Sequence, residues 1–107
     1  MTDTTATGTA RVPTAHASRY LQQLCKHWQH HLEVEFTPEH GTIVFPREGR
    51  SGTWPDDGRA TFDAHEDTLE IRIDGAVPEQ VTALQEVIER HLDRFAFREA
   101  PLRYDWQ

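Results

Sequence analysis

Residues 68–95 read TLEIRIDGAVPEQVTALQEVIERHLDRF, and they decide the fold. Leu69, Ile71 and Ile73 alternate with Glu70, Arg72 and Asp74. That period of two belongs to a strand with one face in a core and the other in water. After Gly75-Ala76-Val77 the period changes. Pro78 suits the first position of a helix, and Glu79 puts a carboxylate in the first turn, where the helix dipole favours it. Val81, Leu84, Ile88, Leu92 and Phe95 then form one apolar stripe at 100° per residue, with His91 inside it. Arg90 and Arg94 suit the C-terminal end of the dipole. A half-buried strand that runs directly into an amphipathic helix implies a sheet covered on one face only.

Outward from this stretch the same two periods recur. Upstream, residues 59–64 form a strand with Ala60 and Phe62 on one face, and His65-Glu66-Asp67 makes a tight turn. Residues 42–45 form another strand between Gly41 and Pro46. Leu32, Val34 and Phe36 alternate with Glu33 and Glu35. Residues 47–57, REGRSGTWPDD, read as a long loop around Trp54. Residues 15–31 are helical, with Ala17, Tyr20, Leu21, Leu24 and Trp28 in one stripe, and Thr14 is a candidate N-cap. His31 falls inside that stripe and His27 on its edge. Downstream, Pro101 breaks the chain, and Leu102, Tyr104 and Trp106 alternate as a final strand. The order is α-β-β-β-β-α-β. Tight turns between the strands imply antiparallel pairing. The expected architecture is a two-layer α+β sandwich: an antiparallel sheet of four or five strands with two helices on one face. Residues 1–11 hold five Thr and few apolar side chains, and read as a disordered tail ahead of a single domain at 12–107.

Composition narrows the function. The chain has 107 residues, enough for one core and too few for a barrel of eight β/α units, which needs about 250. Eighteen acidic residues against eleven basic ones give a net charge of −7. That argues against nucleic acid, which is bound through clustered Lys and Arg, and against anionic lipid. No apolar run approaches the ~18 residues of a membrane span, and the N-terminus lacks the pattern of a secretory signal, so the expected location is the cytoplasm. The lone Cys25 excludes an internal disulfide and any Cys-rich metal framework.

Seven His is high for this length, and it points to the first candidate site. His31 and His91 take the same place on the stripes of two different helices, and His27 precedes His31 by one turn. Three neutral imidazoles would form an open zinc, iron or haem-iron site. The alternative is that each His is half-buried and hydrogen-bonded to backbone or carboxylate. Helix direction bears on the choice. Four strands separate the helices, so strand reversal brings the chain back to the end of the sheet where the first helix finished. Antiparallel helices follow, which separate His91 from His27 and His31. Cys25 lies mid-helix, away from any helix N-terminus that would lower its pKa, and reads as a small buried side chain. Arg94 and Arg98, beside Phe95 and Phe97, form either an anion or partner site or a helix-to-strand corner with both rings in the core. Trp54 either anchors a partner or folds back over the sheet.

The stretch ASRYLQQLCKHW at 17–28, the strands VEF and IVF, and HLDRFAFRE at 91–99 with Trp106 resemble a small bacterial domain family of unknown function. The resemblance covers residues 11–107 and is most specific in its closing HLxRFAFRE string. Some members resemble a module joined to siderophore-interacting flavoproteins. The resemblance therefore implies a non-catalytic domain linked to iron and siderophore metabolism, with a siderophore-interacting flavin reductase as partner. It carries no catalytic residues. The competing expectation is an interaction or homo-oligomerisation module that uses an exposed strand edge or the Trp54 loop.

Overall fold

The computed structural model describes residues 6–49 and 52–107. The elements in chain order are β1 (Ala6–Pro13), α1 (Ala17–Trp28), β2 (Glu33–Phe36), β3 (His40–Phe45), β4 (Glu48–Gly49), β5 (Gly52–Thr53), β6 (Gly58–Ala64), β7 (Thr68–Gly75) and α2 (Pro78–Phe95). Five strands form one sheet in the order β1-β7-β6-β3-β2, and every neighbouring pair is antiparallel. The short β4 and β5 pair with each other inside the long loop. The protein is an α+β sandwich.

Register explains why only one face is covered. One row across the sheet runs Gly8, Ile73, Ala60, Ile43 and Val34. Every member is apolar or glycine, and the helices lie on this side. A Cβ added at Gly58 would come within 2.6 Å of Leu84 Cδ1 on α2, and one at Gly41 within 2.9 Å of Cys25 Sγ on α1. The row on the opposite face runs Thr9, Arg72, Thr61, Thr42 and Glu35. That face carries exposed pairs, His40 with Asp63 at 2.7 Å and Arg72 with Asp74 at 3.2 Å. Such solvated pairs add little stability. The core holds Leu21, Leu24 and Trp28 of α1, Ile43, Phe62, Leu69, Ile71 and Ile73 of the sheet, and Leu84, Ile88 and Leu92 of α2.

With the β4–β5 hairpin of the long loop set aside, the middle of the order, α-β-β-β-β-α, is the one the sequence implies. The ends differ. Residues 6–11 are not a tail: with Val12 and Pro13 they pair along β7 from Ala6↔Gly75 to Pro13↔Thr68 and form the fifth strand. Residues 1–5 lie outside the described residues. Leu102 and Tyr104 are buried as their alternation implies, but residues 102–106 form no strand. Carboxylates of α2 hold this segment instead. Leu102 N–H and Tyr104 O–H donate to Asp93 Oδ1 at 3.1 and 2.9 Å, and Trp106 Nε1 donates to Glu89 Oε2. Gln107 closes against β1, exchanging two backbone hydrogen bonds with Thr9. Helix α1 also starts and stops inside its expected span, at Ala17 and Trp28. Thr14 accepts from His16 N–H at 3.0 Å, ahead of the helix.

Candidate functional site: a histidine pair where the helices meet

Helix α1 packs against β2, β3, β6 and β7, so it lies across the strands rather than along one of them. Counting strand reversals fixes the end of the sheet at which a helix begins, not the angle at which it crosses. This oblique path overturns the expected separation of the histidines. The last turn of α1 meets the late turns of α2, and the ring centroids of His27 and His91 stand 5.1 Å apart. Phe95 lies 5.8 Å from His27, and Trp28 lies 4.7 Å from His91. Beneath them Trp28 meets Phe45 edge-on at 5.2 Å, so the pair stands on a packed aromatic floor.

His91 is half-buried, and its Nδ1–H donates to the carbonyl of Val87, one turn back, at 2.8 Å. A carbonyl only accepts, so the proton sits on Nδ1 and the neutral ring keeps a lone pair on Nε2. His27 is exposed by area, yet its inner edge is desolvated by the crossing. Burial holds its pKa below the ordinary histidine value, and positive charge at His91, Arg94 and His31 adds to this in that order.

His31 does not join the pair. It lies beyond the end of α1 and is exposed, and its N–H donates to the Trp28 carbonyl in the closing turn. Its place on the apolar stripe has no meaning past the end of the helix at Trp28. Among the described residues no three His, Cys, Asp or Glu side chains gather closely enough to hold a metal together. The expected three-histidine set is thus reduced to two.

The other candidates separate. Arg94 is exposed in the last turn of α2, and its charge reaches His27. Arg98 lies over the ring of Phe97, 5.6 Å from its centroid, and that ring is 70% exposed. The helix-to-strand corner with both rings in the core is therefore corrected: Phe95 packs and Phe97 does not. Glu99, in the same corner, reaches back to the start of α1. It accepts from Tyr20 O–H and from Thr14 Oγ1–H, tying the start of α1 to the turn after α2. Burial is the main reason the Tyr20 hydroxyl titrates above its ordinary range. Nothing in the spacing of Thr14, Tyr20 and Glu99 signals this contact. Trp54 is half-buried in the excursion between β3 and β6, and its N–H donates to the Arg47 carbonyl at 2.7 Å. Its indole lies against Gly52, whose φ of 134° belongs to glycine, and a Cβ there would meet the ring at 3.1 Å. Cys25 is fully buried, and desolvation pushes its thiol up to about 11.

The comparison with curated proteins gives no match. Among solved structures the chain is similar to the NMR structure of PA4090 from Pseudomonas aeruginosa, with 33% identity, 94% of each chain covered and a TM-score of 0.72. The family model described as "Uncharacterized protein conserved in bacteria (DUF2218)" matches residues 9–107, from the first strand to the last residue, and the chain belongs to that family.

Proposed function

We propose that this domain is a non-catalytic binding module of iron metabolism and that its site is the His27–His91 pair, which binds a transition metal, iron foremost. The observation that carries the reading is the meeting of two imidazoles at 5.1 Å, one with its tautomer fixed by a backbone carbonyl. A hydrogen-bond acceptor on Nδ1 is how metal-ligating histidines are commonly oriented, because it presents the Nε2 lone pair. Cys25 offers no nucleophile, because its buried thiol stays protonated at neutral pH. The link to iron, the cytoplasmic location and a siderophore-interacting flavin reductase as partner rest on the family resemblance. No helix among the described residues is long and apolar enough to cross a membrane. The charge of −7 speaks against nucleic acid as a partner.

The test is titration with Zn²⁺, Fe²⁺ and haemin, comparing the native protein with His27→Ala and His91→Ala. Binding by the native protein that both variants lose supports the reading. Equal binding by all three proteins, or none by any, makes the imidazoles structural. A second reading, an interaction or homo-oligomerisation module, is favoured by one observation: Phe97 is 70% exposed, with the Arg98 guanidinium above it. Aromatic and Arg side chains are enriched where proteins bind each other. Loss of a dimer on Phe97→Ser, read by sedimentation, would support it.

A further inference from the structure

The distance between the rings limits how a metal can sit between them. A metal–nitrogen bond of about 2.0–2.1 Å, with the nitrogen roughly 1.1 Å from its ring centre, puts the metal about 3.2 Å from each centroid. Two rings on opposite sides of one ion then stand about 6.4 Å apart, and two rings at a tetrahedral angle about 5.2 Å. The observed 5.1 Å fits neighbouring positions. The separation admits two adjacent sites on one ion and is too short for the two opposite faces of a haem iron.

Two imidazoles leave the remaining positions of a tetrahedral or octahedral ion to be filled from elsewhere. No group of three donors exists among the described residues. Charge points the same way. On an α-helix the neighbours of a side chain lie three and four residues away. For His91 those are Val87, Ile88, Arg94 and Phe95; for His27 they are Gln23 and Leu24 before it, and His30 and His31 after it. None is an acid and one is a guanidinium. Lys26 and Arg90, each next in sequence to one of the histidines, are exposed as well. The acids on these turns of α2, Glu89 and Asp93, stand two residues to either side of His91, and they accept from Trp106, Leu102 and Tyr104. At the positions three and four residues from the two histidines a bare divalent ion meets only neutral groups and positive charge. An ion already wrapped by carboxylate or similar anionic oxygens brings the missing donors and a charge that Arg94 attracts.

We propose that the His27–His91 site takes a metal ion presented by an anionic oxygen-donor chelator, the two imidazoles filling two adjacent positions that the chelator leaves open, with Arg94 facing the chelator. This rests on the reading of the pair as a metal site and names its ligand class.

The probes are two nickel chelates that each leave two adjacent positions open: anionic nickel–nitrilotriacetate and cationic nickel–tris(2-aminoethyl)amine, with Ni²⁺ alone as reference. Binding is read by calorimetry on the native chain and on His27→Gln, His91→Gln, His31→Ala and Arg94→Gln, each checked for folding by its thermal transition. The anionic chelate is expected to bind about tenfold more tightly than the cationic one, as one guanidinium at roughly 8 Å in water gives for three units of charge difference. His27→Gln and His91→Gln abolish that binding, His31→Ala keeps it, and Arg94→Gln removes most of the preference. His27 is exposed, so His27→Gln remains a fair test if His91→Gln fails to fold. Equal or tighter binding of the cationic chelate overturns the proposal and leaves a plain metal site standing. Loss in His31→Ala with retention in His91→Gln overturns the pairing itself. No binding of nickel in any form overturns both readings.

Discussion

Cys25 shows how a residue's chemistry follows from its neighbours. Its side chain is fully buried in α1, and its Sγ lies 2.9 Å from where a Cβ on Gly41 would stand. Burial penalises the thiolate and pushes the thiol up to about 11. A thiol that stays protonated is a poor nucleophile. We expect no reaction with a thiol-specific disulfide reagent at pH 8 in the folded protein, and one reactive thiol per chain after denaturation. The same shift sets a pH dependence. The folded pKa is above the unfolded one, so between about 9 and about 11 the folded state holds the proton that the unfolded chain has released. Stability is then full below pH 9 and falls as pH rises towards 11. Denaturant midpoints from pH 8 to 11 should show this fall in the native protein and a smaller one in Cys25→Ala. An unchanged slope in the variant would assign the alkaline loss to other groups.

The elements at the two ends of the chain show what periodicity conveys and what it does not. β7 and α2 were legible because Leu, Ile and Val mark their buried positions. β1 was not, because its buried positions are Gly8, Ala10 and Val12. The cause is the close approach of α2: a Cβ at Gly8 would stand 2.5 Å from Gln85 Nε2 and 3.0 Å from Val81 Cγ1. A strand beneath a near helix must be built from small residues, and small residues among threonines look like a tail. The C-terminal segment failed in the opposite sense. Leu102 and Tyr104 are buried as their spacing implies, but the Leu102 backbone N–H and the Tyr104 hydroxyl donate to the carboxylate of Asp93 on α2 rather than to a strand edge. The histidine pair was half-legible: each ring's place on its stripe could be read, the crossing of the stripes could not. Because β1 belongs to the sheet, removing residues 1–11 strips most of the partner from one edge of β7 and takes away the neighbours of Ile71 and Ile73, while Val12 stays opposite Leu69. The truncated chain should lose its cooperative unfolding transition in circular dichroism. A truncation that melts like the full chain would return those residues to the status of a tail.

At the scale of the whole molecule, one sheet face carries both helices, and this makes a single core. Leu24 of α1 and Ile71 of β7 belong to the same buried cluster, 0% and 2% exposed. The opposite face is polar, and its ion pairs are exposed, so it adds little to the stability of the fold. Stability therefore depends on the layer between sheet and helices, and a cavity made on either side of that layer weakens the same cooperative unit. Leu24→Ala or Ile71→Ala removes buried methyl groups and leaves a void that close-packed neighbours fill only in part, at a cost of about 2–5 kcal/mol each. A domain of this size shifts its midpoint by roughly 4–8 °C per kcal/mol, so either variant should melt at least ~8 °C below the native protein. Both should keep one transition, seen alike by far-ultraviolet circular dichroism and by tryptophan fluorescence, because Trp28 sits in the same core. Thr61→Ala, in the polar row of β6, should change the midpoint little, within about 0.5 kcal/mol. Two separable transitions in Leu24→Ala, with the helical signal lost before the sheet, would mean that the helices and the sheet do not share one core.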